Sequence, residues 1–199
     1  MFRTKEAWIP YLLLVAVALG GLLWHESEQL PGLGRTLVSG KIAVGGPYAL
    51  TDQDGKPRSS ADFHGRYQLI YFGYSFCPDV CPTTLALMAA ALDKIGEDQN
   101  RIVPVFITVD PDRDKPQVLK KYLAAFGPRF VGLTGSPQQI AQVEKEYRVY
   151  AKKQPLQGGN YGMDHSSVIY LVGPRGQLIS FYDGAASPDD LAKDLKGKI

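Results

Sequence analysis

The sequence predicts an α/β domain in which helices cover both faces of a central β-sheet. Strand-like apolar segments alternate with helical segments along most of the chain, and an opening hairpin precedes them. The only two cysteines, Cys77 and Cys81, lie where the first buried strand runs into the start of a helix. Together these observations predict a thioredoxin-like sheet, with the cysteines at the edge formed by the carboxyl ends of its parallel strands.

The first half of this pattern is defined by turn residues and apolar runs. Residues 43–50 and the turn at 52–55 predict the opening hairpin, and an apolar strand at 68–72 leads to the cysteines. The next helix is predicted to begin at Pro82 and to end at Gly96, because proline suits the first helical position and disrupts later ones. Both cysteines would then flank a short irregular turn.

The rest of the domain continues as strand followed by helix. Further strands are predicted at residues 102–109, 130–133, 167–172 and 178–182. A loop is expected at residues 155–160. Three more helices are predicted from their N-cap residues, which are Asp114, Ser136 and Ser187. Ser136 also begins a capping box, because Gln139 follows three residues later.

An uncharged apolar segment at residues 7–24 precedes the domain. As a helix it would be about 27 Å long, close to the ~30 Å hydrocarbon core of a bilayer. Two basic residues lie before it, so the positive-inside rule predicts a cytoplasmic N-terminus and an exported domain. No small-x-small cleavage site follows it, which favours a retained anchor in the lipid bilayer over a cleaved signal peptide.

These features divide the chain into three predicted parts: a cytoplasmic stub with a transmembrane anchor at 1–24, a tether at 25–40 and the thioredoxin-like domain at 41–199. The leader lacks the Arg- and Ser-rich composition of an organelle transit peptide. A single-pass protein of a bacterial inner membrane, with its domain in the periplasm, is therefore favoured over the mitochondrial inner membrane. The net charge is only +2 and the charges are interspersed, which argues against a nucleic-acid partner.

The cysteine pair is the first candidate for function. A thiolate is both a soft metal ligand and a redox nucleophile, and a helix N-terminus favours it. A purely structural disulfide between Cys77 and Cys81 would enclose three residues and stabilise by roughly 2 kcal/mol, less than half of what a loop of ~100 residues gains. The pair is therefore predicted to bind a metal or to alternate between a dithiol and a redox disulfide.

His165 is the candidate third group of the site. It lies directly before the predicted strand at 167–172, in the loop that contacts the thiols in thioredoxin-like folds and normally contains a cis-proline. This loop has an imidazole and no proline. The alternative is a histidine that only hydrogen-bonds to the backbone of a turn. His25 lies beside the anchor, and His64 is typical of a solvated turn.

Several segments carry a resemblance to a known family: Phe72-Gly-Tyr74, Cys77-Pro-Asp-Val-Cys-Pro82, Val109-Asp-Pro-Asp-Arg-Asp114, Tyr150-Ala-Lys-Lys153 and Asp164-His-Ser166. In these segments, and along nearly the whole chain including the anchor, the sequence resembles the SCO/SenC copper proteins, which help to assemble cytochrome c oxidase. The resemblance implies that Cys77, Cys81 and His165 are copper ligands. Ser75 stands where many members have threonine, and this departure affects no ligand.

The residues themselves agree with that implication. Two thiolates and an imidazole form a soft three-coordinate set that suits Cu(I) and can hold Cu(II) with a weak extra ligand, whereas a structural zinc site usually has four protein ligands. Asp79 or Asp164 could add an oxygen, but Asp79 is more typical of a turn and Asp164 of support for His165. Met163 is a further soft candidate, although methionine there more often fills space.

The resemblance implies a metallochaperone that receives copper from an upstream donor and delivers it to the dinuclear copper site of cytochrome c oxidase subunit II. The alternative is a thiol-disulfide oxidoreductase that reduces the cysteines of that site and depends on an upstream thiol reductant. The three-residue spacer and the missing proline argue against this enzyme, since the usual redox motif has two spacers. A thiol peroxidase using Ser75 and Arg129 is a third hypothesis, which rests on fold analogy alone.

Overall fold

The computed structural model describes residues 44–183 and 187–199. The predicted anchor at 7–24 and tether at 25–40 lie outside these residues. Across the two described ranges, no helix combines the length and the apolar character needed to cross a bilayer.

Nine strands are present in the described ranges: β1 (Ala49–Asp52), β2 (Pro57–Ser59), β3 (Tyr67–Gly73), β4 (Ile102–Thr108), β5 (Val131–Thr134), β6 (Ala151–Pro155), β7 (Tyr161–His165), β8 (Val168–Val172) and β9 (Leu178–Asp183). Seven of them form a mixed sheet in the order β2-β1-β5-β4-β3-β8-β9. The central strands β3, β4 and β5 are parallel, while β1 and β8 pair antiparallel at their borders. This is the predicted thioredoxin-like arrangement.

The central strands are mainly apolar because the sheet is covered on both sides. All residues of β4 are buried, as are all but the first of β3. A parallel strand buried on both faces reads as a continuous apolar run rather than as an alternation. This explains why the runs at 68–72 and 102–109 could be recognised as strands.

Four α-helices lie in the described ranges: α1 (Val80–Ile95), α2 (Pro116–Leu123), α3 (Pro137–Tyr147) and α4 (Pro188–Lys196). Tyr71 and Phe72 are successive residues of β3, so their side chains point to opposite faces of the sheet. The Tyr71 hydroxyl contacts the Cys81 sulfur in α1 at 3.8 Å, whereas the Phe72 ring packs against Tyr147 of α3 with centroids 5.4 Å apart. Helices therefore cover both faces, as predicted.

Helix α1 begins at Val80, so the predicted start at Pro82 is wrong by two residues. Asp79 is the N-cap, and Cys81 lies in the first helical turn rather than in an irregular turn. Proline is tolerated there because the N–H groups of the first turn have no intrahelical partner. The two cysteines consequently differ: Cys77 precedes the helix and Cys81 belongs to it.

The N-caps of the later helices are partly as predicted. Ser136 forms the capping box, because its Oγ accepts from Gln139 N at 3.2 Å and Gln139 Oε1 accepts from Ser136 N at 2.8 Å. The prediction of Asp114 as the cap of α2 is wrong, since Lys115 occupies that position. The Asp114 carboxylate is instead buried and accepts hydrogen bonds from Ser75 and Thr108.

Strands β6 and β7 form a separate two-stranded antiparallel sheet that the sequence pattern did not reveal. The predicted loop at 155–160 is the tip of this hairpin, and His165 is the last residue of β7, paired with Ala151. The imidazole is thus presented by the base of a hairpin that is distinct from the main sheet.

Candidate metal centre

Cys77, Cys81 and His165 converge at the carboxyl end of β3. One ligand atom from each, the two Sγ atoms and a ring nitrogen, lies within 4.8 Å of the others. Cys81 Sγ and His165 Nε2 are 3.4 Å apart. The three residues chosen from the sequence are therefore brought together by the fold.

The backbone around the start of α1 orients Cys77. Its N–H donates to the Tyr74 carbonyl oxygen at 3.2 Å, which closes a turn after β3. Its Sγ accepts from the Cys81 N–H at 3.4 Å, one of the N–H groups that a helix N-terminus leaves without an intrahelical partner. The Cys77 side chain is half-buried, so it is the sulfur that solvent can reach.

Cys81 lies beneath this turn and is completely buried. Burial raises the pKa of the Cys81 thiol to about 12. A buried thiol with such a pKa is protonated in the free protein and loses its proton when a metal binds, because the thiolate is the form that coordinates. Binding of a metal at this site would therefore release a proton.

His165 is held in the tautomer that a ligand requires. Its Nδ1 lies 3.0 Å from the Ser166 carbonyl oxygen, which can only accept, so Nδ1 carries the hydrogen. In a neutral ring this leaves the lone pair on Nε2, the atom that faces Cys81. Burial lowers the pKa of His165, which favours the neutral ring. The ring also packs edge-on against Tyr71 and Tyr74, with centroids 6.3 and 5.7 Å away.

These donors fit a soft metal ion. Two sulfurs and one neutral imidazole nitrogen match the preference of Cu(I), and no carboxylate belongs to the cluster found among the described residues. In the absence of a metal, the same two sulfurs could instead be oxidised to a disulfide. The arrangement supports either chemistry.

The carboxylates considered as extra ligands lie apart from the cluster. Asp79 is exposed and accepts from Thr83 Oγ1 at 3.4 Å. Asp164 is exposed and pairs in register with Lys152, and as the neighbour of His165 in a strand it points to the opposite face. Support of the site by either residue stays a prediction. Met163 packs against the core on the same strand face as His165.

Asp114 has a structural role that the sequence analysis missed. Its buried carboxylate accepts from Ser75 N at 3.0 Å and from Thr108 Oγ1 at 2.6 Å, which ties the cysteine loop to the end of β4. Burial raises its pKa, against the effect of these hydrogen bonds. The sequence did contain a signal for this role: the acidic run at residues 110–114 directly follows a buried central strand. It therefore lies at the sheet edge that carries the cysteines.

Arg129, the arginine considered for a thiol peroxidase, is not part of the site. It pairs with Asp93 at 2.8 Å and lies just before β5. Because β5 is parallel to β4 and β3, this is the edge opposite to the cysteines. Ser75 and Arg129 therefore do not come together around a thiol.

Comparison with known proteins places this chain among relatives along most of its length. A family model described as SCO1/SenC matches residues 38–199. Protein SCO1 homolog 1, mitochondrial, of Arabidopsis thaliana is 36% identical over 204 residues, which cover 97% of this chain and 61% of that protein. The chain thus spans less than two thirds of that relative's length.

Solved structures agree with the sequence relatives. Bradyrhizobium japonicum ScoI, whose structure has copper bound, is 44% identical with a TM-score of 0.74, covering 79% of this chain and 100% of that one. BsSco, described as a member of the Sco family of cytochrome c oxidase assembly proteins with a disulfide switch, is 29% identical with a TM-score of 0.63, covering 78% and 93%.

Proposed function

Because the chain belongs to the SCO1/SenC family, we propose that it is a copper chaperone that delivers copper to the dinuclear copper site of cytochrome c oxidase subunit II. The observation that carries this proposal is the convergence of Cys77, Cys81 and His165 within 4.8 Å. The copper in ScoI and the oxidase-assembly role stated for the family of BsSco support it.

Copper is the cargo in this proposal, and the three side chains hold it. Each cysteine supplies a thiolate and His165 supplies the Nε2 lone pair. Three protein ligands leave space for an incoming cysteine or histidine of the acceptor, so transfer can proceed by ligand exchange without release of free copper. Cys77 is the more accessible sulfur, and we expect the acceptor to approach from its side.

Location is part of the same proposal. We place residues 1–24 as a cytoplasmic stub and membrane anchor, 25–40 as a tether and 41–199 as the copper-binding domain in the periplasm of a bacterium. The uncharged run at 7–24 and the basic residues before it support this placement. An upstream protein would supply the copper.

A second candidate function, reduction of the acceptor's disulfide, is favoured by the unequal burial of the two sulfurs. The Cys77 thiolate would attack one acceptor sulfur and release the other, and Cys81 would then attack Cys77 in the mixed disulfide. The acceptor gains two electrons and two protons, and this chain is left with a Cys77–Cys81 disulfide. An upstream thiol reductant would have to restore the dithiol.

Anaerobic titration of the full-length chain in detergent with Cu(I), in competition with a chromophoric chelator, tests the chaperone proposal. We expect saturation near one ion per chain. Alanine variants of Cys77, Cys81 and His165 should each bind at least about tenfold more weakly, since loss of mere supporting partners costs roughly 10–100-fold. His64→Ala, an exposed histidine elsewhere, is the control. Unchanged affinity in the three variants would refute the proposal.

Disulfide-reductase turnover separates the two functions. The chaperone proposal predicts slow turnover by the wild type that stops when Cu(I) occupies the sulfurs. Fast turnover that is unaffected by His165→Ala would favour the reductase, because only the two cysteines take part in the proposed thiol exchange.

A further inference from the structure

Arg113 contacts both parts of the candidate site. Its guanidinium carbon is 4.8 Å from the ring centre of Phe76, the residue directly before Cys77. The same carbon is 3.7 Å from the ring centre of Tyr161, the first residue of the strand that ends at His165. One side chain therefore touches the loop that carries a sulfur and the hairpin that carries the imidazole.

Hydrogen bonds fix this arginine to the hairpin. Its Nη1 donates to the Tyr161 carbonyl oxygen at 2.9 Å, and its Nε donates to the Asp110 carboxylate. The other oxygen of Asp110 accepts from the Tyr161 hydroxyl at 2.9 Å. The three residues thus form a closed set of contacts in which Arg113 is 17% exposed and Asp110 is fully buried.

The hairpin is attached to the domain by side-chain contacts, which Met163 makes with the core and Tyr161 with Arg113. It is a two-stranded sheet with no strand pairing to the main sheet, and isolated two-stranded hairpins are at best marginally stable in water. The hairpin's ion pair to the same loop, Lys153 with Asp112, is about half exposed on both sides and therefore contributes little. Buried charge-assisted hydrogen bonds and a stacked arginine are the stronger contacts.

We propose that Arg113 and Asp110 are positioning residues: through Tyr161 they hold the β6–β7 hairpin, and with it the imidazole of His165, against the cysteine loop. This inference rests on the proposed function only in taking His165 to be a copper ligand. Neither residue touches the metal in this proposal.

A double-mutant cycle on Cu(I) affinity tests whether Arg113 acts through His165. In the full-length chain, Arg113→Ala should weaken binding by roughly tenfold or more, and by no more than His165→Ala does. In the His165→Ala background, Arg113→Ala should cause no further loss, because there is no imidazole left to position. Arg113→Lys should recover only part of the affinity, since lysine cannot make the forked contact.

The matched control is Arg129→Ala. It also removes a half-buried arginine from a carboxylate, Asp93, but at the opposite edge of the sheet. We expect it to leave Cu(I) affinity unchanged even where it lowers the melting temperature. An equal loss of affinity from Arg113→Ala with and without His165 would overturn the proposal, because the arginine would then act on the fold in general.

A copper-free measurement distinguishes failure of this proposal from failure of the proposed function. Amide hydrogen exchange of the apo protein should become faster in residues 151–165 of Arg113→Ala and stay unchanged in β3 and β4. Unchanged protection of the hairpin would overturn the positioning role whatever the copper results. Should Arg113→Ala not fold, Tyr161→Phe, which removes only the hydroxyl bond to Asp110, is used in its place with the same criteria.

Discussion

Gly73 lies directly against the sulfur of Cys81. A Cβ atom placed on Gly73 would be 2.9 Å from Cys81 Sγ and 2.9 Å from Phe106 Cε2, both far inside normal contact distance. The absence of a side chain at the end of β3 is therefore what allows the first turn of α1 to pack this close to the sheet. The glycine of the Phe72-Gly-Tyr74 segment thus sets the depth of one sulfur.

Gly73→Ala should damage both stability and metal binding. The added methyl must displace either Cys81 or Phe106, and overpacking of this kind costs about 1–3 kcal/mol. Urea unfolding measures the stability, and Cu(I) competition measures the affinity, which should fall because the Cys81 sulfur moves.

The control for this substitution is Gly132→Ala in β5. A Cβ there would be 2.5 Å from Leu123 Cδ1, a contact of similar severity that does not involve the site. It should lower stability and leave Cu(I) affinity unchanged. Equal losses of affinity in the two variants would contradict the role assigned to Gly73.

The two thiols of the metal-free protein should differ greatly in reactivity. Cys81 is fully buried and burial raises its pKa to about 12, so its thiol is almost entirely protonated at pH 8. Cys77 should therefore be alkylated first in an iodoacetamide time course followed by mass spectrometry of the peptides. Both should react at similar rates in denaturant. Equal alkylation rates in the native protein would show that burial does not protect the Cys81 thiol.

Acidification should destabilise the metal-free protein through His165. Burial lowers its pKa, so between that value and the ordinary histidine pKa of about 6.5 the unfolded chain binds more protons than the folded one. The stability that His165 contributes as a neutral ring is complete above pH ~6.5 and is lost as the pH falls below that value. A ring-proton NMR titration should give a midpoint below about 6.5, and His165→Gln should lose less stability on acidification. A midpoint above 6.5 would disprove this.

Asp114→Asn should loosen the cysteine loop. The amide can keep an acceptor for Ser75 N and Thr108 Oγ1, but it puts a donor where the second carboxylate oxygen accepts from Ser75 Oγ. The Ser75 hydroxyl must then turn, and charge-assisted hydrogen bonds become neutral ones, at a cost of about 1 kcal/mol. We expect a lower melting temperature together with faster alkylation of Cys77. Asp52→Asn is the comparison, because Asp52 is also buried and hydrogen-bonded but belongs to the β1–β2 turn. Asp52→Asn should lower stability without changing the rate at which Cys77 is alkylated.

The central strands and the three candidate ligands could be predicted because their signals are local or chemically rare. The buried strands are mainly apolar runs, and only two cysteines occur in the chain. The start of α1 was placed two residues late because the rule against proline inside a helix does not apply to its first turn, where Pro82 lies.

The β6–β7 hairpin could not be predicted because its first strand is largely exposed. Lys152, Lys153 and Gln154 are all exposed, so the strand shows no alternation of apolar and polar residues. The part played by Arg113 was hidden for a different reason. Its partner Tyr161 is 48 positions away, and no local spacing indicates a contact over that distance.

The distance along the chain between Cys81 and His165 has a consequence during synthesis. The two residues are 84 positions apart, so at about 5–20 residues per second the sulfur pair emerges roughly 4–17 s before the imidazole. Strand β8, which follows His165 and pairs with β3, is made later still. A nascent chain can therefore present two thiols but not the complete group of Cys77, Cys81 and His165. If this group holds copper, as proposed, we expect loading only after translation has passed β8.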